Sequence, residues 1–249
     1  MKISVAQIKP FKGGVEKNIT AHLELIELAT TEKVSAVFFP ELSITGYEPE
    51  LAKSLATTQK DKRFDVFQKV SDLNNITIGF GVPTAGISKP LVSMILFQPN
   101  KERMTYSKQY LYQGEEQYFE NGKKPCFIQI DNHKIAPAIC YESSVSEHCD
   151  AAISQSATIY VAAVMTSPSG INKNLNVLSN LAKKHEIIVL MSNFVGISGG
   201  SESAGRSSIW NHKGELKGQM NSIEEGLLIY DTDTNCASVS LVSTKRNEM

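Results

Sequence analysis

The sequence has almost no net charge and no long apolar run, and both absences exclude classes of protein. Lys and Arg number 25 against 26 Asp and Glu, so the net charge is −1. The chain therefore lacks the basic excess of a general nucleic-acid or anionic-membrane binder. No apolar run approaches the roughly 18 residues of a spanning helix, and the N-terminus turns polar too soon for a secretory signal. We expect no nucleic-acid partner and no membrane.

Cysteine is scarce, and its spacing does not match a metal-binding motif. None of the four cysteines forms a Cys-x-x-Cys pair; they are Cys126, Cys140, Cys149 and Cys236. This spacing argues against a zinc or redox motif. Without a secretory signal, four cysteines in a chain of this length predict free thiols and a cytoplasmic location. No metal and no cofactor are predicted.

Composition and pattern favour one folded α/β unit. Apolar residues make up 41% of the 249 residues and charged residues 20%, which predicts a packed core. No Pro- or Ser-rich linker divides the chain, so residues 1–249 are predicted to form a single domain.

The apolar pattern alternates strands with helices, and hairpins interrupt the alternation. Asn18 is predicted to be the N-cap of the first helix, and tight turns at 99–100 and 131–132 predict hairpins. This pattern favours a mixed sheet, or two sheets, with helices outside. The predicted strands lie at 3–8, 34–39, 76–82, 91–97, 103–107, 127–130, 134–139, 159–164 and 187–192, and the later helices at 61–74, 147–154 and 174–185.

Two chemically capable residues follow apolar strands. Glu41 comes after residues 34–39, and Cys140 comes after residues 134–139. Ligands and reactive groups collect at the carboxyl ends of strands in α/β sheets. Each residue alone also has a structural interpretation, Cys140 as a buried thiol and Glu41 as a loop acid. Lys108 alone would be a surface lysine.

The surrounding motifs are more specific, because they occur dispersed and in a fixed order. They are Phe38-Phe39-Pro40-Glu41-Leu42 with Thr45-Gly46-Tyr47, Tyr106-Ser107-Lys108, Glu116-Gln117-Tyr118-Phe119 with Gly122, Ile139-Cys140-Tyr141-Glu142, and Asn193-x-x-Gly196. Together they resemble the nitrilase superfamily of carbon–nitrogen hydrolases over roughly residues 3–230.

The resemblance implies a fold and a site. The fold is a four-layer αββα sandwich, with two mixed β-sheets between helical layers. The catalytic triad would be Glu41, Lys108 and Cys140, and Glu116, chosen over the adjacent Glu115, would position the lysine and the substrate. The backbone near Tyr141 would help to stabilise an oxyanion. No metal or cofactor is required, and a homodimer is implied.

The implied reaction cleaves a non-peptide carbon–nitrogen bond. A small-molecule amide and water would give a carboxylic acid and ammonia through a thioester on the cysteine. Tyr141 resembles the amidase branches, since nitrilases typically carry Trp after the cysteine. Hydrolysis of an N-carbamoyl amide or a nitrile stays open. The segment 142–148 lacks the Arg that several branches carry, which argues against branches that bind a substrate carboxylate there.

Three other readings of the site are also open. A Cys–His hydrolase would use His148 as its base. An acyltransferase would pass the thioester to an amine or an alcohol. A non-catalytic binding module could be built on the same fold, because fold alone does not determine function.

Overall fold

The computed structural model describes residues 1–242, and β-strands dominate it. The strands are β1 (Lys2–Gln7), β2 (Ala36–Phe38), β3 (Thr77–Thr84), β4 (Leu91–Phe97), β5 (Met104–Ser107), β6 (Ile128–Ile130), β7 (His133–Ile139), β8 (Ile159–Ala163), β9 (Ile188–Ser192), β10 (Val195–Ser198), β11 (Ser201–Ala204), β12 (Ser208–Trp210), β13 (Leu216–Gln219), β14 (Gly226–Asp231) and β15 (Cys236–Leu241).

Helices connect the strands. The α-helices are α1 (Val15–Thr31), α2 (Ala52–Leu55), α3 (Asp65–Asn74), α4 (Ser146–Ser154) and α5 (Ile171–His185). Short 3₁₀ helices cover Pro49–Leu51, Lys62–Phe64, Glu115–Gln117 and Cys140–Ser144. None of the helices within residues 1–242 has the length and apolar character needed to cross a bilayer.

The strands form two large mixed sheets and one small hairpin. The seven-stranded sheet has the order β15-β14-β1-β2-β3-β4-β5, and the six-stranded sheet has the order β13-β12-β9-β8-β7-β6. Parallel pairing is confined to β1–β2–β3 in the first sheet and β7–β8–β9 in the second. Strands β10 and β11 form a separate two-stranded sheet.

Three apolar layers hold the sheets and helices together. One lies between the two sheets, and includes Val5, Phe38, Val161 and Leu190. A second joins the seven-stranded sheet to α1 and α3, and a third joins the six-stranded sheet to α4 and α5. Burying apolar side chains in all three layers is the main favourable term in folding. The predicted αββα sandwich is confirmed.

The start of the first helix differs from the prediction. Helix α1 begins at Val15 after Gly14, so Asn18 is not its N-cap. The Asn18 side chain is fully buried instead. Its Oδ1 accepts from the Phe11 backbone N–H at 2.8 Å, and its Nδ2 donates to the carbonyls of Phe11 and Ile44 at 2.8 and 2.9 Å. Asn18 therefore joins the loop before α1 to the loop after β2.

Three later strands, β10, β11 and β15, lie outside the strands predicted from the sequence. The polar hairpin β10–β11, which turns at Gly199 and Gly200, was not predicted because it has no apolar alternation. Both glycines adopt positive φ, which suits residues without a Cβ. The last of these strands, β15, pairs antiparallel with β14 of the same chain.

Candidate active site

Three strand ends, drawn from both sheets, carry the predicted triad. Glu41 follows β2 and Lys108 follows β5, both in the seven-stranded sheet, while Cys140 follows β7 in the six-stranded sheet. Glu41 and Lys108 are only 1% and 0% exposed. Charged side chains this deeply buried are rare unless they are paired.

The Lys108 ammonium lies between two carboxylates. Its Nζ is 2.8 Å from Glu41 Oε1 and 2.8 Å from each carboxylate oxygen of Glu115. Burial acts to lower the pKa of Lys108, but the carboxylates of Glu41 and Glu115 on either side of it raise that pKa above its ordinary value. Lys108 therefore remains a cation at neutral pH.

The second acid in contact with Lys108 is Glu115, and the prediction of Glu116 at that place is wrong. Glu116 is exposed, and its Oε2 accepts from the Gly114 backbone N–H at 2.7 Å. Glu115 is 4% exposed and begins a 3₁₀ helix. The buried Phe119 follows four residues after Glu115, and residues at that spacing share a helix face. This spacing was the sequence signal for Glu115.

Two further donors fix the Glu115 carboxylate. The Tyr47 hydroxyl donates to Oε1 at 2.9 Å, and the Tyr112 backbone N–H donates to Oε2 at 2.7 Å. Burial, followed by the charges of Glu41 and Glu115, raises the pKa of Tyr47 above its usual range, so this phenol stays protonated. With Lys108, these donors leave Glu115 little freedom to rotate.

Glu41 has the properties of a proton acceptor. Burial raises the pKa of Glu41 to about 7, although the Lys108 charge and the nearby Cys140 thiol act in the opposite direction. Its Oε1 accepts from Lys108, whereas its Oε2 has no hydrogen-bond partner among residues 1–242. A carboxylate whose pKa is close to neutrality and whose second oxygen is free can take and return a proton.

Cys140 adopts an uncommon backbone conformation. Its φ is +50°, and it begins the 3₁₀ helix that continues to Ser144. Non-glycine residues rarely occupy this left-handed region, and such residues cluster at functional sites. The Cys140 Sγ lies 3.7 Å from the Met165 carbonyl oxygen, which can accept its S–H.

The electrostatics keep Cys140 protonated at rest. Burial and the adjacent Glu41 raise the pKa of the Cys140 thiol above its ordinary value, and they outweigh the lowering effect of Lys108. The resting pair is a thiol beside a carboxylate base.

Tyr141 lies outside the buried cluster. Its side chain is 39% exposed, and its ring meets the Tyr112 ring edge-on with centroids 5.6 Å apart. Tyr112 is also the residue whose backbone N–H bonds Glu115. The Tyr141 ring thus covers the outside of the Glu115 loop.

His148 is used elsewhere in the structure. Its Nε2 lies 2.7 Å from the Tyr106 hydroxyl, and its Nδ1 lies 2.7 Å from the Tyr160 hydroxyl. Burial lowers the pKa of His148 to about 4. Since both ring nitrogens are engaged away from Cys140, the geometry gives no support to a Cys–His pair. Within residues 1–242 no cluster of three His, Cys, Asp or Glu side chains could hold a metal ion.

Solved structures of similar fold come from the nitrilase superfamily. An amidase from Nesterenkonia sp. AN1, solved as a cysteine-to-alanine variant in complex with butyramide, superimposes with a TM-score of 0.84 at 19% identity, covering 94% of this chain and 92% of that one. A glutamate-to-glutamine variant of the same amidase, with acrylamide added to its active-site cysteine, gives a TM-score of 0.84 at 19% identity, covering 94% of each chain. The shared fold is the αββα sandwich.

Sequence comparison identifies the family. The model of the carbon-nitrogen hydrolase family matches residues 2–239, and the chain belongs to that family. Glutamine-dependent NAD(+) synthetase from Aquifex aeolicus is 24% identical over 94% of this chain, which spans only 42% of that enzyme. A protein named hydrolase in agr operon, from Staphylococcus aureus, is 23% identical over 94% of this chain and 92% of its own length.

Proposed function

We propose that this carbon–nitrogen hydrolase cleaves a small amide to a carboxylic acid and ammonia through a thioester on Cys140. The observation that carries the proposal is the arrangement of buried Glu41, buried Lys108 and half-buried Cys140 at three strand ends, with Lys108 Nζ 2.8 Å from Glu41 Oε1. Such a cluster is costly to bury, which favours a chemical use for it.

In the first step, Glu41 takes the thiol proton while Sγ of Cys140 attacks the amide carbonyl carbon. The carbonyl oxygen becomes an oxyanion. Two groups are positioned to stabilise it: the Lys108 ammonium and the backbone N–H of Tyr141. The first N–H groups of a helix lack an intrahelical acceptor, so the second residue of the Cys140–Ser144 turn can donate outward.

The carbon–nitrogen bond then breaks. The leaving nitrogen receives the proton that Glu41 holds and departs as ammonia, which leaves an acyl thioester on Cys140. A water molecule enters, gives its proton to Glu41 and attacks the thioester carbon. The carboxylic acid is released, and Glu41 returns its proton to the Cys140 sulfur.

Glu115 is proposed to hold Lys108 rather than to move protons. Its two oxygens are already saturated by Lys108, Tyr47 and Tyr112. A carboxylate engaged in this way keeps the ammonium directed at the reacting oxygen. We therefore propose for Glu115 the positioning role that the family resemblance implied for Glu116.

The test is ammonia release from a substrate panel. It contains aliphatic amides, ω-amides, N-carbamoyl compounds and nitriles, and Cys140→Ala is the matched control. We expect turnover of at least one amide and none by the control. Alkylation separates the enzyme from a binding module on the same fold, because an enzyme should show selective modification of Cys140.

A second candidate specifies the amide as the side-chain amide of glutamine. It is supported by the similarity to glutamine-dependent NAD(+) synthetases, which extends over 94% of this chain. Comparing kcat/KM for glutamine with that for butyramide and asparagine distinguishes this candidate from a general aliphatic amidase. A preference for glutamine of at least tenfold would support it.

The setting of the reaction is also proposed. We propose that the chain works as a single catalytic domain in the cytoplasm, where reducing conditions maintain free thiols. Cys126, Cys140, Cys149 and Cys236 are all unpaired. We further propose that two copies form a homodimer.

A further inference from the structure

One buried carboxylate beside the site has no part in the steps above. Glu142 is fully buried, two residues after Cys140. Its Oε2 accepts from the Ile139 backbone N–H and from the Tyr106 hydroxyl, both at 2.7 Å. Its Oε1 accepts from the backbone N–H of Gln109 at 2.5 Å and of Tyr110 at 3.3 Å. Four donors therefore converge on one side chain.

These donors flank two members of the triad. Ile139 immediately precedes Cys140, and Gln109 immediately follows Lys108. Lys108 continues from β5, at the edge of the seven-stranded sheet, while Cys140 continues from β7 in the six-stranded sheet. The Glu142 carboxylate thus joins the backbones of the two sheets where the lysine and the cysteine leave them.

The four contacts require that both side-chain oxygens of Glu142 act as hydrogen-bond acceptors. Burial raises the pKa of Glu142, whereas its hydrogen bonds from Tyr106, Ile139 and Gln109 lower it. An ionised carboxylate can accept all four bonds, but a glutamine would turn an NH₂ group toward two donors. A buried donor without an acceptor costs about 1–3 kcal/mol.

We propose that Glu142 is a positioning residue that fixes Cys140 relative to Lys108 and Glu41 across the gap between the sheets. The inference rests on the proposed amide hydrolysis for its turnover readout. The left-handed backbone at Cys140 gives a reason for the bond to Ile139, because a strained conformation persists only where its surroundings hold it.

Tyr106, His148 and Tyr160 form a chain of hydrogen bonds that ends on the Glu142 carboxylate. Tyr106 gives its hydroxyl proton to Glu142, so its oxygen accepts from His148 Nε2 at 2.7 Å. His148 Nδ1 is then the acceptor for the Tyr160 hydroxyl at 2.7 Å. Burial lowers the pKa of His148 to about 4, which keeps this neutral tautomer at working pH. His148 therefore fixes Tyr106, and through it Glu142.

The first experiment compares Glu142→Gln with a matched control, Glu120→Gln. Glu120 also accepts from several donors, namely the backbone N–H of Ile87, the backbone N–H of Ser88 and the Ser88 hydroxyl, but it clamps a surface loop. We expect Glu142→Gln to lower kcat about 100-fold with little change in KM, because small misplacements of reacting groups have effects of this size. Glu120→Gln should stay within twofold of wild type.

The second experiment needs no substrate. Alkylation of Cys140 by iodoacetamide at pH 7.5 reports whether Glu41 is aligned to take the thiol proton. Glu41→Gln and Glu142→Gln should each slow it at least tenfold. The double variant should be no slower than Glu41→Gln alone, because both changes disable the same pair. If the slowing of alkylation in the double variant equals the product of the two single effects, the proposal is overturned.

The remaining outcomes are also decisive. Glu142→Gln with wild-type kcat and wild-type alkylation overturns the proposal. If that variant does not fold, Tyr106→Phe replaces it, since the ring remains and one of the four donors is lost. A several-fold slower alkylation then supports the proposal, and an unchanged rate overturns it. If wild type hydrolyses no member of the panel, the proposed function fails, while the alkylation comparison still tests Glu142.

Discussion

The Tyr47 hydroxyl donates a 2.9 Å hydrogen bond to Glu115 Oε1, and this contact joins the loop after Glu41 to the turn that carries Glu115. The same Glu115 oxygen lies 2.8 Å from Lys108 Nζ. The position of the ammonium is therefore set from two directions, by Glu41 on one side and by the Tyr47–Glu115 pair on the other.

The two adjacent acids should respond very differently to the same substitution. Glu115→Gln turns an NH₂ group toward either Lys108 or its other donors, so we expect kcat to fall by about 10²-fold, the effect of a small misplacement of a reacting group. Glu116→Gln is the matched control, and it should keep wild-type kcat because its side chain is exposed and accepts from the Gly114 backbone N–H, away from Lys108. Steady-state kinetics of both variants on the best amide provide the measurement. A severe Glu116→Gln and a mild Glu115→Gln would reverse the assignment.

Loss of the nucleophile should abolish turnover and leave the fold intact. Cys140→Ala and Cys140→Ser are small changes in volume, so we expect native circular dichroism and no detectable ammonia release. Cys236→Ser is the control, because Cys236 is an exposed thiol on β15. Near wild-type turnover by either Cys140 variant is incompatible with the thioester route.

The pH dependence should reflect the raised pKa of Glu41. The reaction needs ionised Glu41 and protonated Cys140, and burial raises the pKa of Glu41 to about 7. kcat/KM should therefore fall about tenfold per pH unit below that value and level off above it. Glu41→Gln should lose about 10²–10⁴-fold in rate, the worth of a general base. A profile that is flat from pH 5.5 to 8 would show that no group of this kind controls the reaction.

The proposed homodimer is testable through β15. This edge strand exposes Val239 and Leu241 at 47% and 44%, and edges of this kind are usually covered or charged in monomers. Sedimentation equilibrium at micromolar concentration should give twice the 27.4 kDa chain mass. The double variant Val239→Lys, Leu241→Lys should sediment as a monomer. A wild type seen only at about 27 kDa contradicts the dimer.

Much of the fold could be predicted because its signals are local. Buried strands are continuous apolar runs, and β4 occupies residues 91–97 as predicted. Glu41 and Cys140 could each be predicted at the carboxyl end of a strand, but these strands belong to different sheets, and only the family resemblance implied that the two residues act together. The contact of Asn18 with Ile44 could not be predicted in this way, since its partner lies 26 residues along the chain.

The choice between adjacent acids shows where sequence reasoning fails. Glu115 and Glu116 differ only in which face of a single turn they occupy. The four-residue spacing to Phe119 favours Glu115 only if Phe119 is buried, and that burial becomes visible only once the packing is known. The protonation state of Cys140 could not be predicted for a similar reason. The sequence identifies Lys108, but the desolvation that outweighs its charge depends on how the two sheets pack.

Cys140 has a positive φ. Selection for thermal stability and selection for turnover would therefore favour different residues at this position. Glycine adopts this conformation without a steric cost, whereas a residue with a Cβ is destabilised there by about 1–2 kcal/mol. Screening variants of this chain for heat resistance alone would therefore favour loss of its nucleophile. A variant library selected for thermal stability should therefore also be selected for ammonia release, because stability alone would enrich folded variants without activity.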